Sequence, residues 1–179
     1  MVSRRQPARQ AIQYSIRPAD LALHLFEVTL TIASPDADGQ IVSLPAWIPG
    51  SYMVREFARN IVQIRAECEG RKVRLTKLDK HSWRAARCEG ALSIHYQVYA
   101  WDLSVRAAHL DQTHGFFNGT STFLQVHGQE MLPHVVEILP PSDIDGSDAY
   151  ANWRIATSLR ELKARRHRFG SYIADNYDE

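Results

Sequence analysis

The 179-residue chain has little cysteine, little net charge and no long apolar segment. Its two cysteines are too few for a structural zinc site and could form at most one disulfide. A formal net charge of +1 gives no electric field strong enough to attract nucleic acid. No segment approaches the roughly 18 to 20 consecutive apolar residues that a membrane span needs. We therefore expect a soluble globular protein whose partners include neither a membrane nor a nucleic acid.

The sequence also lacks a recognisable signal peptide. Arg4, Arg5 and Arg9 lie near the start, but no apolar segment follows them that could serve as the core of such a signal. Residues 1–10 are predicted to be a flexible arm, and the cytoplasm is the expected location. Inside the domain, the loop from Pro140 to Asp148 is predicted to be the most flexible.

The common catalytic motifs are absent as well. The chain contains no HExxH zinc motif and no Gly-x-Ser-x-Gly nucleophile elbow. His109 and His114 are five positions apart and His127 and His134 are seven apart, so neither pair shares one face of a helix. His127 and His134 lie on either side of a predicted turn, so their side chains could converge on one metal ion. Nothing else in the sequence supports such a site. The residues alone therefore predict no catalytic residue, no metal site and no cofactor in this chain.

The dominant positive signal is the alternation of apolar and polar residues, which is typical of half-buried β-strands. Three stretches alternate most clearly, and their apolar positions are Phe26, Val28, Leu30 and Ile32, then Leu92, Ile94, Tyr96 and Val98, then Val62, Ile64 and Ala66. Cys68 has the parity of the last set and is expected to be a buried, inert thiol. Six shorter strand candidates are residues 11–16, 40–44, 81–86, 123–126, 135–139 and 153–156.

Helical signals are confined to two short segments. Ser51 follows a Pro-Gly turn and could cap a helix from Tyr52 to Arg59, and Ser158 could cap a helix that ends at His167. Strand candidates outnumber these segments and are mostly bounded by Gly, Pro, Ser or Asp. The predicted fold is therefore mainly β, an antiparallel β-sandwich with one or two short helices.

An unusual segment from Leu44 to Tyr52 holds two prolines, a glycine and two aromatic residues within nine positions. Since Pro and Gly are ordinary turn formers, one interpretation is a rigid corner in which Trp47 and Tyr52 are buried. The alternative is an aromatic patch on the surface that binds a ligand or a partner.

A second unusual segment runs from Trp101 to Ser121 and mixes apolar with hydrogen-bonding side chains. That mixture is typical of the wall of a binding site. The plain structural interpretation pairs Asp102 with Arg106 and makes Asn118-Gly119 a hairpin turn, because Asn-Gly is the strongest short hairpin signal. The local pattern alone does not choose between the two interpretations.

Five stretches carry a resemblance to a known family, and they are Leu44–Asn60 (LPAWIPGSYMVREFARN), Lys77–Lys80 with Trp83, Tyr96–Arg106, Phe116–Ser121 and Tyr172–Glu179. On these residues the chain resembles the N-terminal domain of the glycyl aminopeptidase family, a group of zinc metallopeptidases related to the thermolysin-like enzymes. The resemblance extends from about Tyr14 to the end of the chain.

The resemblance carries implications for the domain organisation and the function. In that family an N-terminal β domain precedes a catalytic domain that carries HExxH, and a PDZ-like domain commonly follows. Residues 11–170 would then form a single β domain, and residues 171–179 would begin the connection to a catalytic domain that is absent from this chain. The chain alone would not be an enzyme, whereas the full-length protein would be a zinc-dependent aminopeptidase that prefers glycine. The zinc ion would lie in the absent domain, and the partners would be that domain and a peptide substrate.

The resemblance also implies a site. In related zinc aminopeptidases the N-terminal β domain forms one wall of the catalytic cleft and contributes a polar loop to it. The loop of Asn118, Gly119, Thr120 and Ser121 resembles that loop and is predicted to bind substrate. Asp102 and Arg106 are expected to form a structural ion pair that supports it.

Two non-enzymatic alternatives stay open beside this prediction. The chain could be a stand-alone β-sandwich module that binds a partner through Trp47 and Tyr52. It could also be a purely structural interface domain, whose exposed apolar face is covered by the catalytic domain in the intact protein. In the second case, the isolated chain would self-associate through that face.

Overall fold

The computed structural model of this chain describes residues 10–141, 150 and 152–179. The predicted arm at residues 1–10 and the predicted flexible loop at residues 140–148 lie almost entirely outside the described residues. Within the described part, no helix is long and apolar enough to span a membrane.

Strands dominate the described residues. In chain order they are β1 (Ile12–Asp20), β2 (Leu25–Ile32), β3 (Ile41–Ser43), β4 (Ile61–Cys68), β5 (Arg71–Val73), β6 (Leu75–Lys77), β7 (Ser82–Ala85), β8 (Leu92–Tyr99), β9 (Ala108–Leu110), β10 (Gly115–Phe117), β11 (Gln125–Val126), β12 (His134–Ile138), β13 (Arg160–Glu161) and β14 (Gly170–Ala174). The described helices are a 3₁₀ helix (Phe57–Asn60) before β4 and α1 (Gly119–Thr122) before β11. The prediction of a mainly β chain is confirmed.

The strands form three sheets. An eight-stranded sheet has the order β13-β14-β12-β1-β2-β8-β4-β5, a four-stranded sheet has the order β11-β3-β7-β6, and β9 and β10 form a hairpin. All neighbours in these sheets are antiparallel except β1 and β12, which run parallel with Ile12 opposite His134. Two parallel strands need a long connection between them. Here the connection from β1 to β12 contains strands β2 to β11.

The core lies between the eight-stranded and the four-stranded sheets. The even-numbered residues of β2 and β8 are buried, as their alternation predicts, and they share one hydrophobic cluster with Val42 of β3 and Trp83 of β7. The hydroxyl of Tyr14 donates to the Leu124 carbonyl at 2.8 Å, and that of Tyr96 donates to the Thr122 carbonyl at 2.9 Å. Burial raises the pKa of both tyrosines, so both remain neutral donors. These contacts confirm a β-sandwich.

Strand β4 departs from its predicted alternation at one position. Ile61 pairs with Val98 but Gln63 pairs with Gln97, so one extra residue sits between them in a β-bulge. Val62 occupies the bulge and is 53% exposed, whereas it was expected in the core. The expected parity holds beyond the bulge, because Ala66 and Cys68 are buried and Cys68 is a free thiol.

The predicted helix from Tyr52 to Arg59 is mostly wrong. Only the 3₁₀ helix Phe57–Asn60 forms, and no side chain caps it. The Ser51 hydroxyl, proposed as the cap, instead donates to the Met53 carbonyl at 2.9 Å. A cap must satisfy free N–H groups of the first helical turn, and this serine closes a local turn instead.

The predictions for residues 153–167 are also wrong. Residues 153–156, predicted as a strand, have no strand pairing, although Ile155 donates its N–H to the His167 carbonyl at 3.2 Å. The segment from Ser158 to His167, predicted as a helix, instead contains the short strand β13, which pairs with β14. The N–H groups of residues 162–164 all donate to the Ser171 carbonyl at 3.0–3.2 Å. Those N–H groups are therefore unavailable to a helical ladder.

The last ten residues of the chain pack into the domain. β14 joins the large sheet beside β12, and Tyr172 is 1% exposed. The Tyr177 hydroxyl donates to the Phe123 carbonyl at 2.7 Å. The packed unit therefore continues past residue 170, where the predicted β domain ends and the predicted connection begins.

Candidate functional site

The loop Asn118–Ser121 begins directly after the β9–β10 hairpin. Asn118 has an extended backbone, and its side-chain oxygen accepts the N–H of Thr120 at 3.0 Å. It is therefore the N-cap of the short helix α1. The interpretation that makes Asn118-Gly119 a hairpin turn is wrong, because the hairpin has already turned between Leu110 and Gly115.

The four predicted site residues differ in exposure. Asn118 and Thr120 are half-buried and Gly119 is exposed, and all three line one cavity of about 550 Å³. Ser121 is buried, and its hydroxyl donates to the Asn118 carbonyl at 2.8 Å. The structure therefore brings three of the four residues to one concave surface and places the fourth behind them.

The rest of the cavity wall comes partly from residues that flank the loop and partly from distant parts of the chain. Its apolar and aromatic lining includes Tyr14, Phe117, Phe123 and Tyr177, and its polar lining includes His134, Asn176 and Asp178. Phe117 and Phe123 flank the loop, but Tyr14, His134 and residues 176–178 come from β1, β12 and the end of the chain, so sequence proximity gives no signal for these. The cavity combines an apolar body with a few polar groups, as small-molecule and peptide sites do.

His134 is a site residue that the sequence interpretation missed. Its Nδ1 lies 2.7 Å from the Leu132 carbonyl, so Nδ1 carries a proton and donates it. Its Nε2 is buried and has no hydrogen-bond partner among the described residues. Burial lowers the pKa of His134, which favours the neutral ring and leaves Nε2 with an unused lone pair beside the cavity.

The expected ion pair between Asp102 and Arg106 is wrong. One Asp102 carboxylate oxygen accepts the N–H of Ser104 at 2.8 Å, which closes a tight turn. Among the ion pairs of the described residues, none joins Asp102 to Arg106. The support for the loop comes from the backbone instead, since Asn118 donates its N–H to the Ala107 carbonyl at 2.9 Å.

The aromatic corner, defined as Leu44–Tyr52, exposes its two aromatic rings, whereas its Leu44 and Ile48 are buried in the core. Trp47 is 52% exposed and Tyr52 is fully exposed, so the interpretation of a corner with both rings buried is wrong. The corner is braced internally, because the Trp47 indole N–H donates to the Ser51 carbonyl at 2.8 Å. Met53 and Val54 extend the exposed apolar surface.

Comparison with known proteins agrees with this fold. A family model described as the Peptidase M61 N-terminal domain matches residues 13–179. A solved aminopeptidase N family protein from Idiomarina loihiensis is 43% identical, with a TM-score of 0.87 over 93% of this chain and 27% of that protein. An M1 zinc metallopeptidase from Deinococcus radiodurans is 11% identical, with a TM-score of 0.48 over 92% of this chain and 37% of that protein, which is too remote to carry an argument. Comparison with curated proteins gives no match.

The class of protein follows from the fold and the matched length: this is the N-terminal β domain of a peptidase. The chain belongs to the Peptidase M61 N-terminal domain family. It spans about a quarter of the length of the Idiomarina protein, 27%. In such homologues this domain belongs with a catalytic domain in the same polypeptide.

Proposed function

We propose that this domain forms one wall of the substrate cleft of a zinc-dependent aminopeptidase. The catalytic zinc would be held by the downstream domain, and the preference for N-terminal glycine and the cytoplasmic location expected from the sequence are parts of the proposal. The observation that carries it is the placement of Asn118, Gly119 and Thr120 on a 550 Å³ cavity that residues 176–179 also line. A polypeptide that continued beyond Glu179 would therefore leave the domain beside this loop.

The loop has the chemistry to bind the N-terminal end of a peptide. The Asn118 side-chain oxygen is oriented by the Thr120 N–H and can accept a further hydrogen bond. The Thr120 hydroxyl makes no hydrogen bond within the described residues. A peptide ammonium is a strong donor, and the carboxylate of Asp178 on the same cavity would favour it. Oriented acceptors on a capped turn bind such a group at low entropic cost.

The test is kinetic and uses the polypeptide that includes the catalytic domain. Asn118→Ala should lower kcat/KM for a peptide substrate by about tenfold or more, the size expected for a lost hydrogen bond to a charged group. Asn118→Ser keeps a capping oxygen, so its stability should return to near the wild-type value while kcat/KM stays low.

Asn152→Ala is the matched control, because Asn152 is an exposed asparagine that lines a different cavity. Its kinetics should equal those of the wild-type protein. Unchanged kinetics for Asn118→Ala, with the domain still folded by circular dichroism, would overturn the assignment of this loop.

A second candidate function is supported by the aromatic corner. A stand-alone binding or interface module would use the exposed surface of Trp47, Tyr52, Met53 and Val54. Sedimentation of the chain with and without the downstream sequence separates the candidates. Self-association that disappears when the downstream sequence is restored favours an interface with the catalytic domain. A native product of this chain's own mass on an immunoblot favours the free-standing module.

A further inference from the structure

A second cluster of polar side chains lies at the tip of the β9–β10 hairpin, away from the cavity wall of the proposed cleft. His109, Asp111 and His114 each offer one ligand atom, and these atoms all lie within 4.8 Å of one another. A spacing of five does not bring two histidines together on a helix. On this hairpin it does, because the chain reverses between Leu110 and Gly115 and brings the two imidazole rings within 5.2 Å.

The carboxylate of Asp111 lies between the two imidazoles. Its Oδ2 is 3.1 Å from Nε2 of His109, and its Oδ1 is 3.3 Å from Nδ1 of His114. Oδ1 also accepts the N–H and the hydroxyl of Thr113, both at 2.7 Å. These bonds hold the carboxylate in place, so Oδ2 is the oxygen with capacity for another partner.

The ring of His109 is positioned by stacking, and its Nδ1 contributes no hydrogen bond. It stacks on Trp101 at 4.7 Å, and Trp101 stacks on His24 at 3.9 Å. The His109 side chain is 6% exposed, and its Nδ1 is buried without a hydrogen-bond partner among the described residues. The Asp111 carboxylate can only accept, so in the metal-free chain Nε2 carries the proton and donates it to Oδ2 at 3.1 Å. A metal ion that binds Nε2 would displace this proton to Nδ1.

The cluster opens onto solvent through a cavity of about 580 Å³. The cavity is also lined by Arg59, whose cation opposes a metal ion, and by Asp102, whose carboxylate offsets it. Two imidazole nitrogens and one carboxylate oxygen form a donor set that suits zinc and neighbouring divalent transition metals. Calcium and magnesium prefer oxygen donors throughout.

We propose that His109, Asp111 and His114 bind a divalent transition-metal ion, which braces the hairpin that leads into the Asn118 loop. The site is separate from the zinc expected in a catalytic domain, and it does not depend on the proposed peptidase function. When His109 ligates through Nε2, its proton lies on the unpartnered Nδ1. The affinity should therefore be about 10–100-fold weaker than that of a site whose outer hydrogen bonds are complete.

The test is calorimetric titration of the metal-stripped, full 179-residue chain with zinc chloride. The expected result is one zinc ion per chain, with His114→Gln binding at least about tenfold more weakly, as loss of one of three ligands requires. His81→Gln is the matched control: His81 is similarly exposed, 45% against 55%, and lies 3.6 Å from Asp79 without a third ligand. Zinc binding by this control should equal that of the wild-type chain.

Two further outcomes would overturn the site. One is zinc binding that His114→Gln leaves unchanged. The other is a thiolate charge-transfer band on titration with cobalt, which would place the ion on Cys68 and Cys88 instead.

If His114→Gln unfolds, Asp111→Asn is a second variant that removes a ligand. Its amide keeps an oxygen that can accept the hydrogen bonds of the hairpin loop. Bracing predicts slower hydrogen exchange at the Leu110 and Phe117 amides with zinc bound, and unchanged exchange would contradict it.

Discussion

The aromatic corner and the segment from Trp101 to Ser121, here called the site segment, are both rich in aromatic residues but use them differently. In the corner, Trp47 and Tyr52 extend into solvent, and the indole N–H of Trp47 donates to the Ser51 carbonyl. In the site segment, Trp101 is stacked between two histidines, and Phe117 packs edge-on against Phe123 at 5.6 Å. The corner therefore offers apolar area to a partner, whereas the site segment forms a wall that positions polar groups.

This difference predicts unequal responses to mutation. The site segment is tied to the main sheet through buried bonds, so changes at those ties should cost stability. Leu44 and Ile48 of the corner are buried in the core, but the rings of Trp47 and Tyr52 extend into solvent, so changes at these two rings should alter association rather than folding.

The largest expected effect is at Tyr96, which anchors the residues that directly follow the site segment. Its buried hydroxyl donates to the Thr122 carbonyl at 2.9 Å and accepts the Leu124 N–H at 3.2 Å. Tyr96→Phe leaves both backbone groups unsatisfied and should lower the free energy of unfolding by about 2–4 kcal/mol. Urea denaturation measures the change. Tyr99→Phe is the control, since Tyr99 is 41% exposed, and its change should stay within about 0.5 kcal/mol.

The next effect is at Gly115, at the start of β10. An added Cβ would lie 3.1 Å from Leu110 Cδ1 and 3.2 Å from Phe26 Cζ, both on buried side chains. Gly115→Ala should therefore destabilise the domain by about 1–3 kcal/mol through overpacking. At Gly119 the nearest contact would be an ordinary 3.5 Å, so Gly119→Ala should melt at nearly the wild-type temperature. Equal melting temperatures for the two variants would show that the hairpin can shift freely.

A pH-dependent effect is expected at His134, beneath the site segment. Its folded pKa is lowered by burial from the ordinary value of 6.5, so the unfolded chain takes up the proton first as the pH falls. The stability from neutral His134 is complete above pH 6.5 and is lost as the pH falls toward the lower folded pKa.

In His134→Gln the free energy of unfolding should fall less steeply as the pH is lowered. Urea denaturation at successive pH values between neutrality and mild acid measures this slope. His81→Gln, at an exposed histidine of the protein, should retain the wild-type slope. A slope that His134→Gln leaves unaltered would assign the titration to another group.

The smallest effect on folding is expected in the corner. Tyr52→Ser removes a fully exposed ring and should change the free energy of unfolding of the isolated chain by less than about 0.5 kcal/mol. Sedimentation velocity at high concentration should show reduced self-association of the same variant. A large loss of stability would mean that the Tyr52 ring, too, contributes to the folding core.

The long strands could be predicted from the sequence because their alternation is repeated over several residues. The even-numbered residues from Phe26 to Ile32 and from Leu92 to Val98 face the core as predicted, since one buried face selects the parity of the whole strand. The exposure of Val62 could not be predicted, because it depends on a β-bulge in the pairing of β4 with β8 that turns Val62 outward. The segment from Ser158 to His167 had a plausible helix pattern, yet the N–H groups of residues 162–164 donate to Ser171 of β14.

The candidate site was predictable only in part. The family resemblance indicated Asn118–Ser121, but the cap geometry of Asn118 and the burial of Ser121 came from the packing around them. His109 and His114 were judged against a helical spacing, and the hairpin made that comparison irrelevant. Tyr14, His134 and Tyr177 meet across more than 100 residues, a distance over which local patterns carry no information.

Local periodicity and composition by themselves determined that this chain forms a β domain whose long strands each have one buried, apolar face. Motif resemblance indicated its family. Those properties depend on residues close together in the chain. The cavity, the hairpin cluster and the exposed corner were decided only by the tertiary structure. They depend on which strands become neighbours, and that choice is made by the packing of the whole core.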